Sequence, residues 1–158
     1  LPLKEGFSSI IPMNDEQAEE CAKVYSDIFN VKNVPGAVTP FPGVIETLKR
    51  LAAQGVAMSI ASSRNHHSLA MLVKDLGLSE YITYLIGADD VVNKKPAAEA
   101  VLTTLSYFNV EAHEALVVGD TEYDILMGRN AGTHTCGVTY GKGSRESLEA
   151  AKAEWIVC

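Results

Sequence analysis

Three short segments of the 158-residue sequence carry side chains that can handle a phosphate. The first is Ser62-Ser63-Arg64-Asn65, directly after the apolar run Val56–Ala61. Hydroxyls at the end of a strand that opens a helix can bind an anion together with the free N–H groups of the helix. Taken alone, the segment reads first as a helix cap, because serine is a favoured N-cap. The second is Asn93-Lys94-Lys95-Pro96. The stiff X-Pro step fixes the place of Lys95, and a lysine held in this way offers a point charge to a phosphate, although an ordinary surface lysine fits as well. The third is Gly119-Asp120-Thr121-Glu122-Tyr123-Asp124. Gly119 lets the chain turn sharply and Asp120 projects from a strand end. Asp124 returns to the same side one helical turn later. Paired carboxylates suit a hard divalent ion such as Mg²⁺, while acidic residues in a first helical turn also gain from the helix dipole alone. Asp89 and Asp90 read as turn residues.

The elements that would position these groups alternate along the chain. Residues 1–13 show neither helical nor strand period and read as an irregular lead-in. Asn14 and Gln17 form a capping-box pattern ahead of a helix whose Ala18, Cys21, Val24, Tyr25, Ile28 and Phe29 make one stripe, ending near Asn30. Residues 31–43, with three prolines and two glycines, read as a linker. From Pro42 onward helix and strand alternate. Val44–Ala52 is a helix with Gly55 as its C′ glycine, Val56–Ala61 a strand, Leu69–Leu76 a helix stopped by Gly77, and Ile82–Ile86 a strand. Pro96–Phe108 is a helix begun by its proline, Leu116–Val118 a strand, Tyr123–Asn130 a helix, Thr135–Val138 a strand and Trp155–Val157 a last short strand. The fold class is therefore α/β with a doubly wound parallel sheet, in which ligands bind beyond the carboxyl ends of the strands.

Composition narrows the partners. The chain has 13 Lys+Arg against 20 Asp+Glu, a net charge of −7, which argues against nucleic acid or an anionic membrane surface. With 47% hydrophobic and 21% charged residues it belongs with globular domains and not with disordered chains. No apolar run reaches the roughly 18 residues of a spanning helix. Cys21, Cys136 and Cys158 are widely spaced and read as reduced thiols of a cytoplasmic protein.

Hydroxyl, lysine and paired aspartates at three successive strand ends form a phosphate-plus-Mg²⁺ constellation. Ser62 in SIASSRN, Lys95 in NKKP and Asp120/Asp124 in VVGDTEYD resemble the second, third and fourth motifs of the haloacid-dehalogenase-like phosphatases. PFPGVIETLKRLAAQG, IGADDVVNKKP, GDTEYDILMGRNAG and GVTYGKGSRESLEAA look like the phosphoglycolate phosphatase and β-phosphoglucomutase-like branch. The resemblance covers about residues 40–157. It implies a Rossmann-like core over residues 40–158, preceded over residues 1–39 by a remnant of a helical cap and its linker. It further implies that Ser62 hydrogen-bonds the transferring phosphoryl group, that Lys95 neutralises it, and that Asp120, supported by Asp124, holds Mg²⁺ on the turn shaped by Gly119. Ser63, Arg64 and Asn65 would join Ser62 and Lys95 in binding a small phosphorylated metabolite. His66 and His67 stand at a helix start, where they are solvated or touch substrate, and His113 and His134 have no partner pattern.

The same resemblance exposes an absence. The family's chemistry starts from an Asp-x-Asp-x-Thr at the end of an N-terminal strand, whose first Asp attacks phosphorus to give an aspartyl-phosphate. These 158 residues contain no such motif. The expectation is a fragment without its nucleophile, inactive on its own. The strand missing from the resemblance is the central one, between those ending at Ser62 and Gly119. A separate N-terminal piece, a second copy of the chain or direct closure of the two strands would have to fill the gap, with Phe7–Ile11 as a conceivable substitute. Two further readings stay open: a non-catalytic module that binds phosphate or a partner or self-associates, and a phosphoacceptor receiver domain, which the serines after the first visible strand disfavour.

Overall fold

A computed structural model describes residues 3–32, 36 and 38–158. The chain divides into two compact units, Leu1–Pro42 and Gly43–Cys158. The first holds helices α1 (Leu3–Ile10) and α2 (Asp15–Lys32). The box before α2 forms as read: Gln17 N–H donates to Asn14 Oδ1 at 2.9 Å and Asn14 N–H to Gln17 Oε1 at 3.0 Å. The lead-in, however, is helical and not irregular. Phe7 sets its ring edge-on to Tyr25 at 6.0 Å, and Lys4 reaches Asp15 and Glu19 of α2 at 3.5 and 3.8 Å. Packing against a neighbour thus overrides the weak propensity of Gly6, Ser8 and Ser9. Phe7–Ile11 is consequently no strand. Of the expected linker, residues 33–35 and 37 lie outside the described residues, and α2 takes up its first two positions.

The second unit runs α3 (Val44–Ala53), β1 (Ser59–Ala61), α4 (His66–Asp75), β2 (Tyr84–Ile86), α5 (Glu99–Phe108), a 3₁₀ turn at Ala112–Glu114, β3 (Leu116–Gly119), α6 (Glu122–Asn130), β4 (His134–Val138), α7 (Arg145–Ala150) and β5 (Trp155–Val157). Every strand pairing is parallel: Ser59–Ala61 with Tyr84–Ile86, Leu116–Gly119 with His134–Gly137, and Cys136–Val138 with Trp155–Val157. The α/β class and parallel pairing hold, but the ladder comes in two pieces, β1-β2 and β3-β4-β5. Direct closure of β1 on β3 does not occur.

The core shows how the two pieces share a layer. Val101 and Leu105 of α5 and Met127 of α6 pack with Ile86 of β2, and Ala61 and Val117 join the same cluster. On the opposite side of β1 and β2, Leu69 and Val73 of α4 meet Ile60, Leu85 and Leu48 of α3. That half is therefore covered on both faces, as a doubly wound sheet requires. β3 is covered on one face only: Val117 packs inward while Leu116 and Val118 are 52% and 57% exposed. Near the chain's end, Ile125 of α6 and Leu148 of α7 are fully buried against Ile156 of β5. Helix α7 has no counterpart in the sequence-based element list.

Candidate active site

The loops that follow β1, β2 and β3 meet around one ammonium group. Lys95 Nζ donates to the carbonyl oxygen of Ala61, the last residue of β1, at 2.9 Å and to Asp124 Oδ1 at 2.7 Å. It thereby ties the end of one half-sheet to the helix that follows the other. The lysine and aspartate side chains are only 18% and 11% exposed. The turn before the pair differs from expectation, because α5 begins at Glu99 and not at Pro96. Ala97 N–H closes a turn on Lys94 O at 3.0 Å. Glu99 reaches back to the backbone N–H groups of Val92 and Asn93 at 2.7 and 2.8 Å. A hydrogen-bonded loop, and not the helix, thus sets Lys95 in place.

Asp124 joins both of its sequence readings in one residue. Its Oδ2 accepts the Thr121 N–H at 3.1 Å and the Thr121 hydroxyl at 2.7 Å, closing a capping box on α6, while Oδ1 takes Lys95. Burial pushes the carboxyl up, but the Lys95 charge and hydrogen bond, with those from Thr121, outweigh it and hold Asp124 below the ordinary carboxylate range. Asp124 is therefore ionised and fully partnered. Gly119 has no left-handed backbone; its contribution is space, since a Cβ there would overlap the Asp124 side chain. Asp120 presents a freer carboxylate. Its Oδ2 accepts the Lys142 N–H at 2.8 Å, which leaves Oδ1 for another partner.

At the end of β1, Ser62 is half-buried, its N–H donating to Ile86 O at 2.9 Å and its Oγ accepting the Arg64 N–H at 3.1 Å. Neither Ser62 nor Ser63 caps α4. That place belongs to Asn65, whose Oδ1 accepts the Ser68 N–H at 2.8 Å, because the chain bends at residues 63–64 before the helix starts. Ser63 is exposed, and Arg64 Nη1 points to Ser68 Oγ at 3.4 Å. Ser62, Lys95, Gly119, Asp120 and Asp124 thus lie on the rim formed by the ends of β1 and β3. Asn65 serves the helix, and Arg64 reaches along it.

Sequence reasoning missed the role of Asp89 and Asp90. Asp89 Oδ1 accepts the His66 N–H at 2.6 Å, and Asp90 Oδ2 takes both His66 Nδ1 at 2.6 Å and the Gly87 N–H at 2.7 Å. The Gly87 and His66 hydrogen bonds hold Asp90 below the ordinary range. Two turn aspartates therefore clasp the Ser62 loop to the β2 loop, and the amino end of α4 is occupied by a carboxylate of the protein itself. The signal is a contact across more than twenty positions, which no local pattern carries. His67 is exposed, and His134 pairs with Glu154 Oε2 at 2.7 Å at the start of β4, away from these loops.

The Asp120 carboxylate is a hard oxygen donor with one oxygen uncommitted, and Asp124 beyond it is engaged by Lys95 and Thr121. Among the described residues, no three His, Cys, Asp or Glu side chains gather as a metal cluster. Mg²⁺ asks for less, since it is commonly held by one or two carboxylates while keeping several waters. Asp120, with Oδ1 left over and Asp124 behind it, fits that requirement. Among the described residues no helix is long and apolar enough to cross a membrane.

A parallel α/β core with an acidic turn after β3 and a half-buried lysine after β2 places the chain in a known class. It belongs to the haloacid dehalogenase-like hydrolase family, whose pattern it matches over residues 1–138. Among its relatives, the probable phosphatase IndB of Dickeya dadantii is 35% identical over 99% of this chain, which spans 70% of that protein. The phosphoglycolate phosphatase of Pectobacterium atrosepticum is 34% identical over 83% of this chain, which spans 56% of it. A predicted phosphatase of Clostridium acetobutylicum superposes with a TM-score of 0.85 at 26% identity, covering 99% of this chain and 72% of that one.

Proposed function

We propose that these residues form the phosphate- and cation-binding part of a Mg²⁺-dependent phosphatase acting on a small phosphomonoester of the phosphoglycolate kind. The carrying observation is Lys95, whose half-buried ammonium bridges the end of β1 and the α6 turn. A cation in that place can neutralise a phosphoryl oxygen and a carboxylate together. Ser62, beside it, donates a hydrogen bond to the phosphoryl group. Its Oγ accepts from Arg64 N–H, so its own proton remains available. Bound Mg²⁺ would supply charge stabilisation to the phosphoryl group. Asp120 would hold it through Oδ1, and Asp124 would keep Lys95 and the Thr121 turn in register.

The nucleophile is assigned to a strand lying between β1 and β3. Two features support this: the two half-sheets do not pair, and Lys95 leaves the end of the gap lined by charge. A carboxylate at the end of such a strand would attack phosphorus and release the alcohol, and water would then free inorganic phosphate. These 158 residues carry no Asp-x-Asp-x-Thr, so the polypeptide alone is assigned binding without turnover. Residues 1–39 are assigned to a remnant of a helical cap and its linker. The identity of the substrate within the phosphomonoesters, as against the pyrophosphate named for relatives such as the Bacillus velezensis PpaX, is a matter for a substrate panel. The assay is phosphate release from phosphoglycolate and p-nitrophenyl phosphate with Mg²⁺. Negligible release by the 158-residue polypeptide is expected. Turnover that disappears in Asp120→Ala would contradict the placement of the nucleophile elsewhere.

A further inference from the structure

Resting on the reading of Asp120 as a cation ligand, we propose that the Gly141-Lys142-Gly143 turn is the positioning element that aims its carboxylate. The turn follows β4, the strand paired with β3, and lies over the residue where β3 gives way to α6. It holds Asp120 from two sides. The Lys142 N–H donates to Asp120 Oδ2 at 2.8 Å, and the Gly143 N–H donates to the Asp120 backbone carbonyl at 3.0 Å. The approach is so close that a Cβ on Gly141 would overlap the Asp120 carboxyl, and one on Gly143 would overlap its carbonyl oxygen. Neither glycine has a left-handed backbone, so space alone accounts for both.

The consequence is a division of labour between the two carboxylate oxygens. Oδ2 is fixed by a backbone donor that, of all substitutions at 142, only proline removes, and Oδ1 is left for another partner. A backbone N–H costs no side-chain entropy on binding and cannot compete as a ligand, since it only donates. Outer-shell donors of this kind orient metal-bound carboxylates. The Lys142 side chain itself takes no part: the turn acts through its backbone and through the absence of two Cβ atoms.

Three variants of the 158-residue polypeptide separate these terms. Lys142→Ala keeps the N–H, Lys142→Pro removes it, and Gly143→Ala drives a methyl group against Asp120. Amide hydrogen exchange reads the turn without any metal: Lys142 and Gly143 should be protected in the wild type and in Lys142→Ala. Titration with Mn²⁺, followed by broadening of the Gly119–Thr121 amide signals, reads the cation. Wild type and Lys142→Ala should bind alike, while Lys142→Pro and Gly143→Ala should lose about tenfold or more in apparent affinity, the range for outer-shell partners. Unprotected Lys142 and Gly143 amides, or unchanged Mn²⁺ affinity in Gly143→Ala, would overturn the positioning role. Protected amides with no Mn²⁺ effect in the wild type would overturn the assignment of Asp120 as a ligand, and the inference with it.

Discussion

The Lys95–Asp124 pair is the place where stability and chemistry meet at the scale of single residues. Both side chains are largely withdrawn from water, and each satisfies the other. Removing one partner of a buried pair leaves an uncompensated charge. Lys95→Met is therefore expected to destabilise the second unit by about 3 kcal/mol at neutral pH, read from denaturant unfolding. The pH dependence has a definite sign. Asp124 titrates below its ordinary value in the folded protein, so its contribution is complete above the unfolded carboxylate pKa of about 3.9. That contribution is lost as pH falls through the lower, folded value. The gap between wild type and Lys95→Met should therefore shrink on acidification through that window. A gap that stayed constant down to pH 2 would show that the pair is not the source of the difference.

At the scale of elements, the loops after β1 and β2 act as one piece because Asp89 and Asp90 hold His66 from the other side. Asp89→Ala and Asp90→Ala are expected to speed hydrogen exchange at the His66 and Gly87 amides respectively, leaving β4 and β5 unchanged. Equal protection in wild type and variants would mean that the clasp does not order the Ser62 loop.

Which elements could be read from sequence follows from where their determinants sit. The strand Trp155–Val157 and the C-terminal ends of α3 and α4 were legible because short apolar runs and Gly55 or Gly77 mark them locally. α1 was not, because its helicity depends on Phe7 meeting Tyr25. The start of α4 was misplaced for a related reason: its apolar stripe begins at Leu69, but its cap is Asn65. The site divides in the same way. Lys95, Asp120 and Asp124 could be read from their places after strand ends only as a set, since each alone also fits a surface lysine or a carboxylate of a first helical turn. The Asp89–His66, Asp90–His66 and Lys142–Asp120 contacts join positions 23, 24 and 22 residues apart and exist only once the chain has folded.

At the scale of the whole molecule, the second unit carries two parallel half-sheets held together by a shared α5–α6 layer and by Lys95. Such edges leave ladder donors and acceptors without strand partners, each costing about 1–3 kcal/mol where it is also kept from water. A strand that enters between them would satisfy the edges and bring its own terminal residue to the ammonium of Lys95. Binding chemistry and sheet completion are then one event. The negative overall charge is compatible with a phosphorylated substrate on this account, since Asp120 would serve the cation and Lys95 would meet the phosphate.

The most direct measurement compares phosphate release by the 158-residue polypeptide with release by the same polypeptide preceded by an Asp-x-Asp-x-Thr strand, both with Mg²⁺ and p-nitrophenyl phosphate. Turnover only in the extended chain, abolished by Lys95→Met or Asp120→Ala, is the predicted result. A folded extended chain without turnover, or release by the 158 residues alone that depends on Asp120, would contradict it.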